Sequence, residues 1–303
     1  MYIIHNRKIF FVISAILVLA SIISIAIFGL KAGTDFTGGT LVQATYSQGR
    51  PAGDALTVSL EDAGFEGFSL REANENDYIL RAANLTTEQR ENIESILSLN
   101  GKHSVTIAQL TEVGPTIGTE LRNKALAAIA LVMTAILLFI AFAFRKVSKP
   151  ISSWVYGLIA LVTLGFDVLV PVGFYAFLGF LTGAQVDTLF VTAALTILGY
   201  SVHDTIVVFD RTRENLRINQ EKNRKEDFAE TAGHALGQTF VRSVTTSLTT
   251  ALALMMLFLF GPESTSHFSL TLLVGIIVGA YSSIFLATPL LVAYERWRGQ
   301  KGK

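Results

Sequence analysis

Six apolar stretches, each long enough to cross a bilayer, constrain this chain more than any other feature. They run over about residues 9–30, 125–144, 154–180, 188–209, 240–260 and 268–292. A hydrocarbon core of about 30 Å takes about 20 residues in helical form, and inside it every backbone polar group needs an internal partner. Runs of this length therefore read as membrane helices. The chain is 51% hydrophobic and only 16% charged over 303 residues, too apolar for an ordinary soluble domain. The first run is too long for the apolar part of a signal peptide, and no small-x-small cleavage site follows, so it is expected to be a retained span.

Lys and Arg set the orientation. Arg7 and Lys8 precede the first span, and Arg145, Lys146 and Lys149 join the second to the third. Arg211, Arg213, Arg217, Lys222, Arg224 and Lys225 join the fourth to the fifth, and Arg296, Arg298, Lys301 and Lys303 follow the sixth. The third-to-fourth and fifth-to-sixth connections carry neither residue. Both termini are expected on the cytoplasmic side of a cell membrane, with the long first connection outside.

That connection has its own periodicities. "TLVQATY" alternates as a strand does, and "PAGDALTVSLEDAG" reads as a short helix stopped at Gly64. "GFSLREAN" and "DYILRAA" read as strands around a turn. "TTEQRENIESILSLNG" is a Thr-capped helix with Ile93, Ile96 and Leu97 on one stripe, and "HSVTIAQLTEV" is a last strand. The order βαββαβ predicts a small ferredoxin-like domain. It holds no catalytic constellation, so contact or movement is its expected work.

The predicted fold class is thus an α-helical polytopic membrane protein with an inserted α+β extracytoplasmic domain. Residues 1–30 make the N-terminus and first span, 31–118 the domain, and 119–210 the second to fourth spans. Residues 211–239 form a cytoplasmic loop, 240–292 the last two spans and 293–303 a tail.

Inside the fourth span stands "GYSVHDTIVVFDRTREN". An Asp at a helix centre costs about 2.5–3.5 kcal/mol on insertion scales, and such a residue marks an ion or proton path by default. Asp204 lies roughly 9 Å inside the end of its span at 1.5 Å per residue. The competing reading is an interhelical hydrogen bond. Arg242, near the start of the fifth span, is placed at the same level and would favour the ionised acid. In "SVTTSLTT", Thr245, Thr246, Thr249 and Thr250 fall near the face of Arg242; they read either as a water-ordering polar face or as helix packing. Asp167, in "LGFDVLV" of the third span, is a second buried acid, for a relay or for a structural bond. His203 adjoins Asp204 but points about 100° away around the helix.

Two connectors flank the outer domain. "GTDFTGGT", with Gly33, Asp35, Gly38 and Gly39, precedes a strand rather than a helix and so reads as a hinge, not a phosphate cradle. "VGPTIGTEL", with Gly114 and Pro115, is its return. Gly275 and Gly279 form a GxxxG in the sixth span for close helix packing, with a partner helix from this chain or another. Cysteine is absent, and the five histidines show no ligand spacing, so neither metal nor cofactor is expected. The net charge of zero gives no general attraction for nucleic acid.

"TDFTGGT" after a first span, "VGPTIGTELRNKAL" before the second, the fourth-span motif and "SVTTSLTTALALMMLFLFG" in the fifth together resemble the SecD/SecF family, on its SecF side. The resemblance covers nearly the whole chain. It implies half of an RND-type transporter fold, paired with SecD and working beside the SecYEG channel on unfolded preproteins. It also implies a non-enzymatic role in which the proton motive force, with protons as coupling ion, completes protein export. Asp204 and Arg242 match the acid and the Arg implicated in proton passage. The family commonly has Asn where this chain has His203, and often His where it has Phe166. The alternatives are a proton-coupled small-molecule exporter of RND type and a structural scaffold of a membrane assembly.

Overall fold

The computed structural model describes residues 2–73, 75–144 and 151–301. Arg145, Lys146, Lys149 and Lys303, counted above for orientation, lie outside the described residues. The chain divides into two units, one of Lys31–Ala127 with Gln185–Thr188 and one of the remaining helices.

In the smaller unit a one-turn helix, α3 (Thr34–Thr37), leads into β1 (Gly39–Tyr46), α4 (Gly53–Asp62), β2 (Ser69–Ala73), β3 (Asp77–Ala82), α5 (Thr87–Leu97) and β4 (Val105–Val113). The strands form one antiparallel sheet in the order β2-β3-β1-β4, the ferredoxin-like arrangement that βαββαβ predicts. Strand alternation sends Val42, Ala44 and Tyr46 of β1 into the core with Leu80 of β3. Leu56 and Leu60 of α4 and Ile93 and Leu97 of α5 meet them there, one turn apart on each helix. Tyr46 keeps its buried hydroxyl satisfied by donating to Leu97 O at 2.9 Å. Thr86 starts α5 with a reciprocal cap: its Oγ1 accepts from Gln89 N and its own N–H donates to Gln89 Oε1, both at 3.1 Å.

The larger unit opens with a single turn, α1 (Tyr2–His5), and is built from long helices. These are α2 (Arg7–Phe28), α6 (Pro115–Ala143), α7 (Ser153–Thr182), α8 (Thr188–Glu221), α9 (Phe228–Phe260) and α10 (Ser266–Ser282). A π-helical turn, Ser283–Ala287, carries α10 into α11 (Thr288–Lys301). Among the described residues six helical segments are long and apolar enough to cross a membrane. They are unequal. Half or more of the apolar window is buried in α7, α8 and α10–α11, but about a tenth or less in α2, α6 and α9. Three form the centre of the bundle and three line its outside. α7 runs unbroken through Pro171.

Two expected boundaries move. Residues 211–239 are not one loop: α8 extends to Glu221 and α9 begins at Phe228, leaving a connection of 222–227. Apolar packing carries the helices past their membrane stretches, since Leu216 of α8 is buried with Phe228, Ala229 and Ala232 of α9. Arg213, counted above as a loop arginine, is 8% exposed and stacks over the Phe144 ring at 4.4 Å. Similarly, the expected return connector "VGPTIGTEL" is helical from Pro115 onward, forming the first two turns of α6.

Candidate functional site

α8 brings the polar side chains together. Ser201, Asp204 and Thr205 lie three and four residues apart, so they share one side of the helix, and all three are buried. Across α8 from the bundle centre lies α9, antiparallel to it. The rungs between them are Tyr200 with Thr250 at 3.0 Å, Asp204 with Ser247 at 3.3 Å, and Arg211 with Gln238 at 2.7 Å. This register corrects the expected level of Arg242. Asp204 faces Ser247, whereas Arg242 lies five residues earlier on α9, roughly 7 Å along the axis at 1.5 Å per residue. Arg242 is exposed, and among the described residues no ion pair joins it to Asp204. Its charge acts on the carboxylate only from a distance.

Asp204 is 4% exposed, and its Oδ2 accepts a hydrogen bond from Ser247 Oγ. The nearest titratable group is His203, whose Nδ1 stands 3.7 Å from Oδ1 while the rest of the imidazole is exposed. Neighbouring positions on a helix diverge by about 100°, but a side chain as long as His can fold back, and here it does. The threonines do not form the expected polar face toward the acid. Thr245, Thr246 and Thr249 are exposed, and the hydroxyls of Thr246 and Thr249 donate to the carbonyls one turn back at 2.9 and 2.8 Å. The inward hydroxyls of "SVTTSLTT" are its serines. Ser243 and Ser247 are buried one turn apart, and among the described residues Ser243 Oγ has no hydrogen-bond partner.

Asp167 is fully buried on α7. Its Oδ2 accepts from Ser201 Oγ, and among the described residues its Oδ1 has no hydrogen-bond partner. Ser282 lies beside this carboxylate and gives its proton to Gly279 O at 3.0 Å. Ser283, the first residue of the π turn, meets Thr205 Oγ1 at 2.9 Å. The two acids thus have different partners: Asp204, on α8, bonds to α9, and Asp167, on α7, bonds to α8 and lies beside the end of α10. Sequence reasoning missed the hydroxyls at the two acids, Ser201, Ser247 and Ser282, and the other buried hydroxyls on the same helices and turn, Thr205, Ser243 and Ser283. The available signal was the spacing of Ser201 with Thr205 and of Ser243 with Ser247.

Glycine makes this closeness possible. A Cβ on Gly275 would collide with Ile197, and one on Gly279 would stand 3.0 Å from Ser201 Cβ. The partner of the GxxxG is therefore α8 of the same chain. In the connectors, Gly38 and Gly39 have φ of +78° and +128°, and added Cβ atoms would lie 2.8 Å from Pro115 Cα and 2.6 Å from Ala82 O. Such contacts make the stretch a packed joint rather than an open hinge. Gly33 and Asp35 bond to residues 186–188, while Gly114 stands just before α6 and Pro115 is its first residue. Among the described residues no three His, Cys, Asp or Glu side chains gather as a metal site would need. The site offers carboxylate and hydroxyl oxygens.

A six-span helical bundle with an inserted ferredoxin-like domain and two buried acids among its helices defines a polytopic membrane protein. The family described as protein export membrane protein SecD/SecF, C-terminal, matches residues 92–297, and that described as the SecD/SecF GG motif matches residues 23–49. The protein translocase subunit SecF of Thermobaculum terrenum is 40% identical, over 97% of this chain and 93% of its own. That of Anaerolinea thermophila is 36% identical, over 98% and 95%. The crystal structure of SecDF, a translocon-associated membrane protein from Thermus thermophilus, superposes with a TM-score of 0.83 at 29% identity. It matches 98% of this chain, which spans 39% of that one. The chain belongs to the SecD/SecF family of protein export membrane proteins.

Proposed function

We propose that this chain is a non-enzymatic subunit of a protein-export machine that uses the proton motive force to complete translocation across the cell membrane. The names of its relatives support export as the task. The observation that carries proton coupling is Asp204, a carboxylate halfway along a 34-residue helix, held by one serine hydroxyl and approached by one imidazole. A carboxylate out of water is kept by a partner charge or by a proton. Ionised, Asp204 accepts from Ser247; protonated, it donates to an acceptor instead. That exchange alters the bond between α8 and α9. One charge moved through 100 mV carries about 2.3 kcal/mol, enough to bias an element whose two states differ by a few kcal/mol. Asp167 is the second acid of the path.

The partner in this reading is a SecD chain, with SecYEG and unfolded preproteins beside it. Arg242 supports a partner: an exposed arginine within a spanning helix, offset from the acid of its own chain, is poorly suited to lipid. The chain spans 39% of the matched SecDF chain, which leaves room for a complementary half. Both termini are cytoplasmic and the ferredoxin-like domain is outside, by the distribution of Lys and Arg.

The test is Asp204→Asn in membrane vesicles that carry the full translocase. Proton flux and the late stage of export are expected to fall together. Wild-type levels of both in that variant would overturn the reading.

A further inference from the structure

The Gly-rich connector grips the beginnings of two helices. Lys31 and Gly33 pair with the turn before α8: Gly33 N donates to Val186 O at 2.7 Å and Val186 N donates to Lys31 O at 2.8 Å, closing a parallel bridge between Ala32 and Val186. Asp35 then reaches the helix itself. Its Oδ2 accepts from the Thr188 backbone N–H at 2.9 Å and from Thr188 Oγ1 at 2.6 Å. Thr188 is the first residue of α8. Its amide is one of those a helix start leaves without an internal partner, and a carboxylate there also meets the positive end of the helix dipole. At the far end of the connector, Gly38 presses on Pro115, and a Cβ on Gly118 would stand 2.8 Å from Gly38 N, so the start of α6 is held too. All these contacts lie within the unit formed by Lys31–Ala127 and Gln185–Thr188.

Glycine is required by space at these points, and at Gly38 and Gly39 by φ as well. The backbones approach so closely that Gly33, Gly38, Gly39 and Gly118 have no room for a methyl group without displacing backbone atoms. A segment built this way does not swing freely. It passes displacement on.

We propose that Asp35 is a positioning residue that fastens the start of α8 to the ferredoxin-like domain, so that movement of that domain and the state of Asp204 are coupled through the helix. The proposal rests on the reading of Asp204 given above. Asp204 follows Thr188 on the same uninterrupted helix, about 24 Å along its axis at 1.5 Å per residue. A packed helix shifts as a unit, and the coupling is reciprocal: what the acid does to α8 reaches the domain, and a load on the domain reaches the acid.

The experiment compares Asp35→Ala, Asp35→Asn and Thr188→Val in the full-length chain with the full translocase, beside Asp204→Asn. In Asp35→Ala, export driven by the proton motive force is expected to fall about fivefold or more while proton flux persists, because the acid is intact but disconnected. Asp35→Asn keeps an acceptor oxygen and should recover most of the export. Thr188→Val keeps the backbone bond and should fall between. Hydrogen exchange at the first amides of α8 should speed up in Asp35→Ala, a readout that does not depend on what the helix carries. Should Asp35→Ala fail to accumulate, Asp35→Asn and Thr188→Val carry the same comparison. Wild-type export in Asp35→Ala, unchanged exchange at Thr188, or loss of export and flux together would each overturn the fastening. Intact export in Asp204→Asn overturns the proton reading instead, and the exchange measurement then judges the fastening by itself.

Discussion

α8 and α9 are antiparallel neighbours of 34 and 33 residues, and both set charge and hydroxyls into an apolar helix. Their polar groups have opposite fates. On α8, Ser201, Asp204 and Thr205 are buried and bonded to side chains of α7, α9 and the π turn after α10. On α9, Arg242, Thr245, Thr246 and Thr249 are exposed, and the hydroxyls of Thr246 and Thr249 turn back to their own helix. Ser243 and Ser247 face inward in this stretch, and Thr231 and Thr239 are buried nearer the start of the helix. A hydroxyl satisfied by its own backbone is compatible with almost any neighbour, whereas a buried carboxylate commits the helices around it. The difference marks α8 as the helix that buries a carboxylate with its polar neighbours and α9 as the one that exposes most of the polar groups of this stretch.

The strongest way to break this contrast is Asp204→Asn, expected to abolish proton-driven export, against an α9 change of equal size that leaves it near normal. Next is Gly275→Leu. The side chain would be forced into Ile197, and overpacking of this kind costs about 1–3 kcal/mol or more. A clear fall in thermal unfolding temperature in detergent is expected, with α8 and α10 driven apart. Ser247→Ala removes the one hydroxyl that α9 gives to Asp204, a bond to a chargeable group of about 1.5–3 kcal/mol. It should shift the pH profile of export with little effect on assembly, which a titration of export in vesicles would read.

A smaller effect is expected where the two helices are clamped beyond the bundle. Glu226 lies between them, and its carboxyl sits below the ordinary glutamate range. Partial burial pushes it up, but hydrogen bonds from Asn219 at 2.5 Å and Thr231 at 3.0 Å, with the charges of His234 and Arg224, outweigh that. A depressed acid stabilises the fold above its unfolded value of about 4.3 and loses that contribution as pH falls through the folded value. The 222–227 turn should therefore loosen only below about pH 4, seen as faster hydrogen exchange at the start of α9, and Glu226→Gln should remove the pH dependence. Smallest of all, Thr246→Val and Thr249→Val should alter unfolding of the isolated chain by no more than about 0.5 kcal/mol. A larger loss would show that the outer face of α9 is engaged within the chain.

The amino-acid sequence by itself determined the six spans, because no other structure hides so long an apolar run from water. It determined the βαββαβ order as well, since strand and helix periods are local and visible in residues such as Val42 and Ala44 or Ile93 and Leu97. It also singled out Asp204 and Asp167, because a carboxylate among apolar residues is costly wherever it stands. What faces those acids was decided only by tertiary structure. The level of Arg242 relative to Asp204 depends on how α8 and α9 slide along one another, and a slip of five residues replaces an arginine with a serine. Whether Ser247 or Thr246 points inward depends on the rotation of α9, which its nearly all-round apolar surface does not specify. The fastening of Asp35 to Thr188 joins residues 153 positions apart. The local pattern around either carries no information about the other, and only the folded chain brings a carboxylate to the open end of that helix.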